Sequence, residues 1–197
     1  MKQSSHIEVM KDLSGYFKPG EREKIYNNCE SWRDRVLIRL LWKSGRRITE
    51  ILQIKVKDIN FQDKNILWVI IKKKKHFKKW KPMDSFTLDL LQAYIENSGL
   101  KEDHYLLHAG YPQVHISRQR AFQIVRRLCK NVGILKVGDK PPHPHHFRHS
   151  FAIDAAKRSK SAADIRKVQL LLEHSTLAMT EQYLQFGDSD LRTLIED

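Results

Sequence analysis

Asn65-Ile66-Leu67-Trp68-Val69-Ile70-Ile71 is the stretch whose reading decides the architecture. Ile66 to Ile71 is the longest uninterrupted apolar run in the chain. It falls far short of the roughly 20 residues needed to span a bilayer, and its β-branched and aromatic content favours a buried strand. Lys78 to Met83 supplies a partner strand, with Lys72 to Phe77 as the loop between them. Outside this hairpin the pattern is helical. Leu37, Leu40, Leu41 and Ser44 form a stripe within Trp32 to Ser44, and Gly45 follows as a left-handed cap. A second helix starts beside Arg47 and runs through Ile51 and Leu52. Ser85 to Asn97 is helical and stops before Gly99, and Ser117 to Asn131 stops before Gly133. Gly138 to Pro144 is a proline-rich loop, after which His145 to Lys157 and Ala163 to Leu172 are helical. The expected fold is therefore α+β, mostly helical with a small antiparallel β-sheet. Residues 1–20, ending in Lys18-Pro19-Gly20, are expected to form an N-terminal tail or linker before a helix near Glu21.

Size and charge narrow the function. A chain of 197 residues supports one ordinary domain with a core. Hydrophobic residues at 41% and charged residues at 30% suit a globular protein, while 36 Lys and Arg against 23 Asp and Glu leave a formal charge of +13. Such an imbalance favours a polyanionic partner, and nucleic acid before an acidic membrane surface, since no basic amphipathic helix with a bulky apolar face is present. Cys29 and Cys129 are too few for a disulfide framework, and residues 1–24 hold no signal-peptide core. A reducing, cytoplasmic setting with two packed, inert thiols is expected.

Four segments carry candidate chemistry. Ser44-Gly45-Arg46-Arg47-Ile48-Thr49-Glu50 places Arg47 at a helix start, either as a phosphate-binding fork or as a surface arginine paired with Glu50 three residues on. His145-His146-Phe147-Arg148-His149 puts His145, Arg148 and His149 on one helical face, suited to one anion; with His143 and His146 they also form a candidate metal site or a solvated histidine patch. No cysteine and no His-Glu-x-x-His pattern accompanies them, so no metal is expected. Lysines 72–75, 78, 79 and 81 crowd around His76, Phe77 and Trp80. Most read as a solvated phosphate-binding loop, although one lysine at a hairpin tip can act as a proton donor. Phe77 and Trp80 either stack on bases or pack against the domain. Tyr183 follows His174 by nine residues; a lone tyrosine there is ordinarily a core or rim residue, and only the ensemble suggests a nucleophile.

Over roughly residues 21–190 these motifs resemble the tyrosine recombinases, or phage integrase family. The resemblance assigns catalytic roles to Arg47, His145, Arg148, His174 and Tyr183, and Lys74 as the catalytic lysine with Lys73 and Lys75 as rivals. Lys72, Lys73, Lys75, Lys78 and Lys79 are expected to bind DNA. It implies a DNA breaking-rejoining fold and cofactor-free, metal-independent cleavage and rejoining of double-stranded DNA through a 3'-phosphotyrosyl intermediate. It also implies a catalytic domain over 21–186, a segment at 187–197 exchanged between protomers, and a tetramer on paired DNA sites. Glu173 stands where the family usually has glycine, placing a negative charge beside His174. The short region before residue 21 suggests either a separated catalytic domain or a minimal recombinase resembling the fimbrial-switch invertases. A type IB topoisomerase-like enzyme and a non-cleaving, integrase-derived DNA-binding protein are the alternatives.

Overall fold

The computed structural model describes residues 15–72 and 75–159, together with Ser161, Asp164, Arg166, Lys167, Leu170 and Leu172. The elements run α1 (Pro19–Asn27), α2 (Trp32–Ser44), α3 (Ile48–Ile51), a 3-10 turn (Val56–Asp58), β1 (Ile59–Asn60), β2 (Asn65–Lys72), β3 (Lys75–Pro82), α4 (Ser85–Ser98), α5 (Arg118–Asn131) and α6 (Pro144–Lys157). This is the expected mostly helical domain with one small sheet. The sheet is antiparallel throughout, in the order β1-β2-β3.

The helix ends follow local chemistry. Ser31 caps α2 by accepting the Asp34 amide at 3.1 Å, and Asp84 and Ser117 do the same for α4 and α5. Gly45 ends α2 with φ of +61°, a left-handed conformation that glycine adopts without strain. The buried face of α2, with Val36, Leu37, Ile38, Leu40 and Leu41, makes it the central helix, packed against α1, α4 and α6. In β2, Ile66, Trp68 and Ile70 point into the core at the strand's two-residue period.

The hairpin is tighter than the sequence pattern suggests. Pairing between β2 and β3 continues to Lys72 opposite Lys75, so Lys72, Lys75, His76 and Phe77 belong to strands rather than to a loop. Backbone hydrogen bonds close this ladder whatever the side-chain charge, and lysines are well suited to an edge strand because they discourage further pairing. Phe77 and Trp80 are 40% and 48% exposed, so packing against the domain does not cover them.

Two parts of the core lie where the sequence reading placed surface. Phe17, inside the stretch expected to be a tail, is fully buried, and its ring meets Phe147 at a centroid distance of 4.6 Å. His146 is also buried, stacked on His143 at 3.7 Å. The histidines therefore do not share one face: His146 turns inward and His145 outward. Among the described residues no three His, Cys, Asp or Glu side chains are grouped to hold a metal ion. Both thiols are buried and pushed up to about 12 by desolvation, as inert cysteines should be. Among the described residues no helix is long and apolar enough to cross a membrane.

Burial, then the charges of His143, His149, His145 and Lys140, hold the His146 imidazole down to about 3. His143 is lowered by burial and by Lys140 and Arg126. A histidine in the unfolded chain protonates near 6.5, so below that pH the unfolded state binds more protons and stability falls as the solution is acidified toward the folded-state value. The melting temperature is expected to be highest at neutral pH and above. His146→Gln should flatten the acid limb, by about 5 °C or more near pH 4.5 relative to the neutral plateau. Parallel wild-type and variant curves in thermal melts would remove His146 as the acid-sensitive group.

Candidate active site

Arg47 sits immediately before α3, as its N-cap residue. Its guanidinium Nη1 donates to Glu50 Oε1 at 3.1 Å, and its amide donates to Glu50 Oε2 at 3.2 Å. Glu50 is fully buried, and a buried carboxylate is tolerated only when its oxygens are well satisfied. The Ile71 amide, near the end of β2, also donates to Oε1 at 3.4 Å. One carboxylate thus joins the arginine motif to the strand leading into the lysine hairpin. The ion pair between Arg47 and Glu50 is present, but it is half buried and leaves the Arg47 side chain about a third exposed. Anchoring and availability to an anion coexist in the same residue.

Arg148 lies on α6 and is only 5% exposed. Its Nη1 donates to the Gly45 carbonyl at 2.6 Å and its Nη2 to the Leu172 carbonyl at 2.7 Å. These two bonds bring the loop before Arg47 and the backbone two residues before His174 onto one guanidinium. A planar fork reaches both carbonyls at once, which a lysine ammonium on a flexible stem does not reproduce. Gly45 has a second reason to be glycine: a Cβ there would come within 2.5 Å of Phe151 Cδ1 and 3.0 Å of Leu172 Cδ2. α2, α6 and Leu172 consequently meet at a point where only a bare backbone fits.

His145 faces outward on α6, with the His149 ring edge-on at 4.4 Å and the His143 ring at 6.4 Å. Partial desolvation, followed by the positive charges of His149, Arg148, His143 and Arg47, pushes its pKa down. Solvent reaches the outer edge of the ring, but every contribution acts in the same direction. The imidazole is therefore neutral at pH 7 and able to accept a proton.

Of the residues singled out in the sequence, Arg47, His145 and Arg148 are brought together at the junction of α2, α3 and α6. Lys78 and Lys79 are exposed on β3, and Lys72 and Lys75 face each other in the strand register. Lys73, Lys74, His174, Tyr183, Glu173 and the 187–197 segment lie outside the described residues. Lys81, from the same lysine-rich stretch, donates through Nζ to the Leu170 carbonyl at 3.0 Å and ties β3 to the backbone ahead of Leu172.

Other features of the site escaped the sequence reading. Glu50 was visible only as an i+3 partner, because spacing does not report burial. The outer face of α5 carries Arg118, Gln119, Gln123 and Arg126 around Phe122, lining an open groove of about 430 Å³. Phe122 stacks on His143 at 5.9 Å, which sets this basic face beside the start of α6. Ser117 followed by arginines at 118, 120, 126 and 127 was the available signal.

The sequence profile of the phage integrase family matches residues 16–189. A tyrosine recombinase of Pseudothermotoga lettingae is 29% identical over 183 residues, covering 92% of this chain and 60% of the relative. Tyrosine recombinase XerC of Staphylococcus epidermidis is 30% identical over 196 residues, covering 96% and 63%. The chain thus spans less than two thirds of the length of these relatives. Among solved structures, XerA recombinase superposes with a TM-score of 0.73 at 23% identity, covering 92% of this chain and 64% of that one. XerH site-specific recombinase in a post-cleavage complex with its palindromic difH substrate gives 0.72 at 24% identity, covering 93% and 53%. The fold is shared at this level, and the profile spans the arginine, histidine-arginine and histidine-tyrosine segments alike: the chain belongs to the phage integrase family.

Proposed function

We propose that the protein is a metal-independent, tyrosine-type DNA strand transferase acting as a site-specific recombinase in the cytoplasm. The observation that carries this reading is the Arg148 guanidinium bonded to both Gly45 O and Leu172 O. It holds the three motif-bearing segments together with a second arginine, Arg47, anchored nearby by a buried carboxylate. A binder needs basic surface but has no use for a neutral histidine within the electrostatic reach of two arginines.

In this reading Arg47 and Arg148 hold the nonbridging oxygens of the scissile phosphate and offset the charge that accumulates as five oxygens surround phosphorus. The Tyr183 phenolic oxygen attacks phosphorus and passes its proton toward His145. The bond to the 5'-oxygen breaks, Lys74 supplies the proton that makes the 5'-hydroxyl, and a 3'-phosphotyrosyl link remains. His174 donates a hydrogen bond to the phosphate. The reverse attack by a 5'-hydroxyl from another strand reseals DNA and frees the tyrosine, so phosphodiester energy is retained without a cofactor.

Residues 21–186 form the catalytic region, and residues 187–197 a segment exchanged between protomers in a tetramer on paired sites. Double-stranded DNA is the partner that the charge of +13 favours. Lys72, Lys73, Lys75, Lys78 and Lys79 supply phosphate contacts from the hairpin, and the Arg118, Gln119, Gln123 and Arg126 face of α5 adds a second basic surface next to the catalytic helix. The solved relative XerH, in complex with its difH substrate, supports the choice of partner.

A nicked suicide duplex, which traps a covalent intermediate, tests these roles. Tyr183→Phe should abolish the denaturation-resistant adduct while binding is retained; an adduct that persists would remove Tyr183 as nucleophile. Arg47→Ala should slow adduct formation by at least ~100-fold, the scale of losing one transition-state donor, and a slowing of less than about tenfold would contradict its assignment. Adduct should accumulate equally in excess chelator. A requirement for divalent metal would overturn the metal-free mechanism.

A further inference from the structure

The face of α6 opposite the active site is gripped by the segment that enters the domain. Phe17 N donates to Ser150 Oγ at 2.8 Å, and Ser150 Oγ donates in turn to the His146 carbonyl at 2.8 Å. The Phe17 ring lies edge-on to His146 at 5.9 Å and tilted against Phe147 at 4.6 Å. One turn further along, Arg22 from α1 pairs with Asp154 at 2.5 Å. Contacts at 146, 150 and 154 recur every four residues, so they run along one stripe of the helix, while His145, Arg148 and His149 occupy another. A helix held along one stripe cannot rotate to re-aim the other.

The geometry points to Phe17 as a positioning residue for the catalytic helix: it seals His146 from water and locks the rotation of α6 that aims His145 and Arg148 at the phosphate. This rests on the recombinase reading above. Phe17 touches no reacting atom, and its effect passes through the histidine pair beneath it. His146 stacks on His143, whose amide donates to His146 Nδ1 at 3.3 Å. The charged groups that act on His146 are His143, His149, His145 and Lys140, and those on His143 are Lys140 and Arg126, all of them basic. No opposing carboxylate among these groups would stabilise an imidazolium. Water admitted by a smaller residue 17 would allow His146 to protonate, and the cation would be repelled by the basic groups around it and by the positive end of α6, disturbing the first turn that it shares with His145.

The consequence is an acid-sensitive variant, separated from a simple loss of stability by circular dichroism showing that Phe17→Ala remains folded at pH 6. On the suicide duplex, Phe17→Ala should form adduct about tenfold more slowly than wild type near pH 6 and recover toward wild type near pH 8, since small displacements of catalytic groups cost this much or more. Duplex binding, followed by fluorescence anisotropy, should stay within about threefold, because phosphate contacts dominate it. Phe17→Leu, which keeps the site dry, should restore most of the activity at the lower pH. An imidazole NMR titration should show His146 neutral through pH 5 in the wild type and protonating at a distinctly higher pH in Phe17→Ala, as desolvation is relieved while the basic neighbours remain.

A folded Phe17→Ala protein whose pH profile parallels wild type, with His146 still neutral, overturns the inference. If Phe17→Ala does not fold, Ser150→Ala decides: it removes the hydroxyl bridge at almost constant volume, and adduct formation unchanged from wild type at pH 6 overturns the inference equally. A wild-type protein that forms no adduct would sink the recombinase reading instead. The titration would then still show whether Phe17 governs the protonation of His146.

Discussion

The Arg148 guanidinium, bonded at once to the Gly45 and Leu172 carbonyls, is the contact on which the rest of the candidate site depends. Those carbonyls are more than a hundred residues apart in sequence, and closing so long a loop costs conformational entropy that only a well-packed junction offsets. The junction has little slack. Gly45 lies so close to Phe151 and Leu172 that a methyl group would collide with both. Arg148 is buried, so deleting its side chain would leave the carbonyls it serves without these donors, a larger loss than that of an exposed ion pair.

Charge is distributed to match. Glu50 and Asp34, both buried, are spent on internal partners: Glu50 on Arg47 and the Ile71 amide, Asp34 on Arg127 and Arg33. Lys78 and Lys79 on β3, and Arg118 and Arg126 on α5, stand on exposed surface. Buried carboxylates therefore organise the frame while surface cations provide the field that attracts a polyanion. His145 lies between these regimes, kept neutral first by desolvation and then by the same positive charge that would draw in a phosphate.

Much of this was legible before any coordinates. The period in Trp32 to Ser44, the glycine that ends it and the apolar run at Ile66 to Ile71 fixed the main elements, because each combines a strong local preference with burial. Spacing placed His145 and Arg148 on one face of α6, and they are there. Spacing could not separate His145 from His146, whose opposite environments are set by what packs against each side of the helix. Nor could it show that Phe17, in a polar leader ending in Pro-Gly, enters the core, or that Glu50 is wholly buried. The lysine-rich β3 was hidden for a different reason: an edge strand needs backbone pairing more than apolar side chains, and composition reports only the latter.

In the proposed mechanism two arginines from distant parts of the chain converge on one phosphate through the junction at Gly45. A crystal structure of the protein on duplex DNA, with vanadate trapped between the cut ends as a pentavalent phosphate mimic, measures this directly. Arg47 and Arg148 should both donate to equatorial vanadate oxygens while Arg148 keeps its bond to the Gly45 carbonyl. Vanadate bound away from either guanidinium, or an Arg148 that must leave Gly45 to reach it, would rule out this convergence.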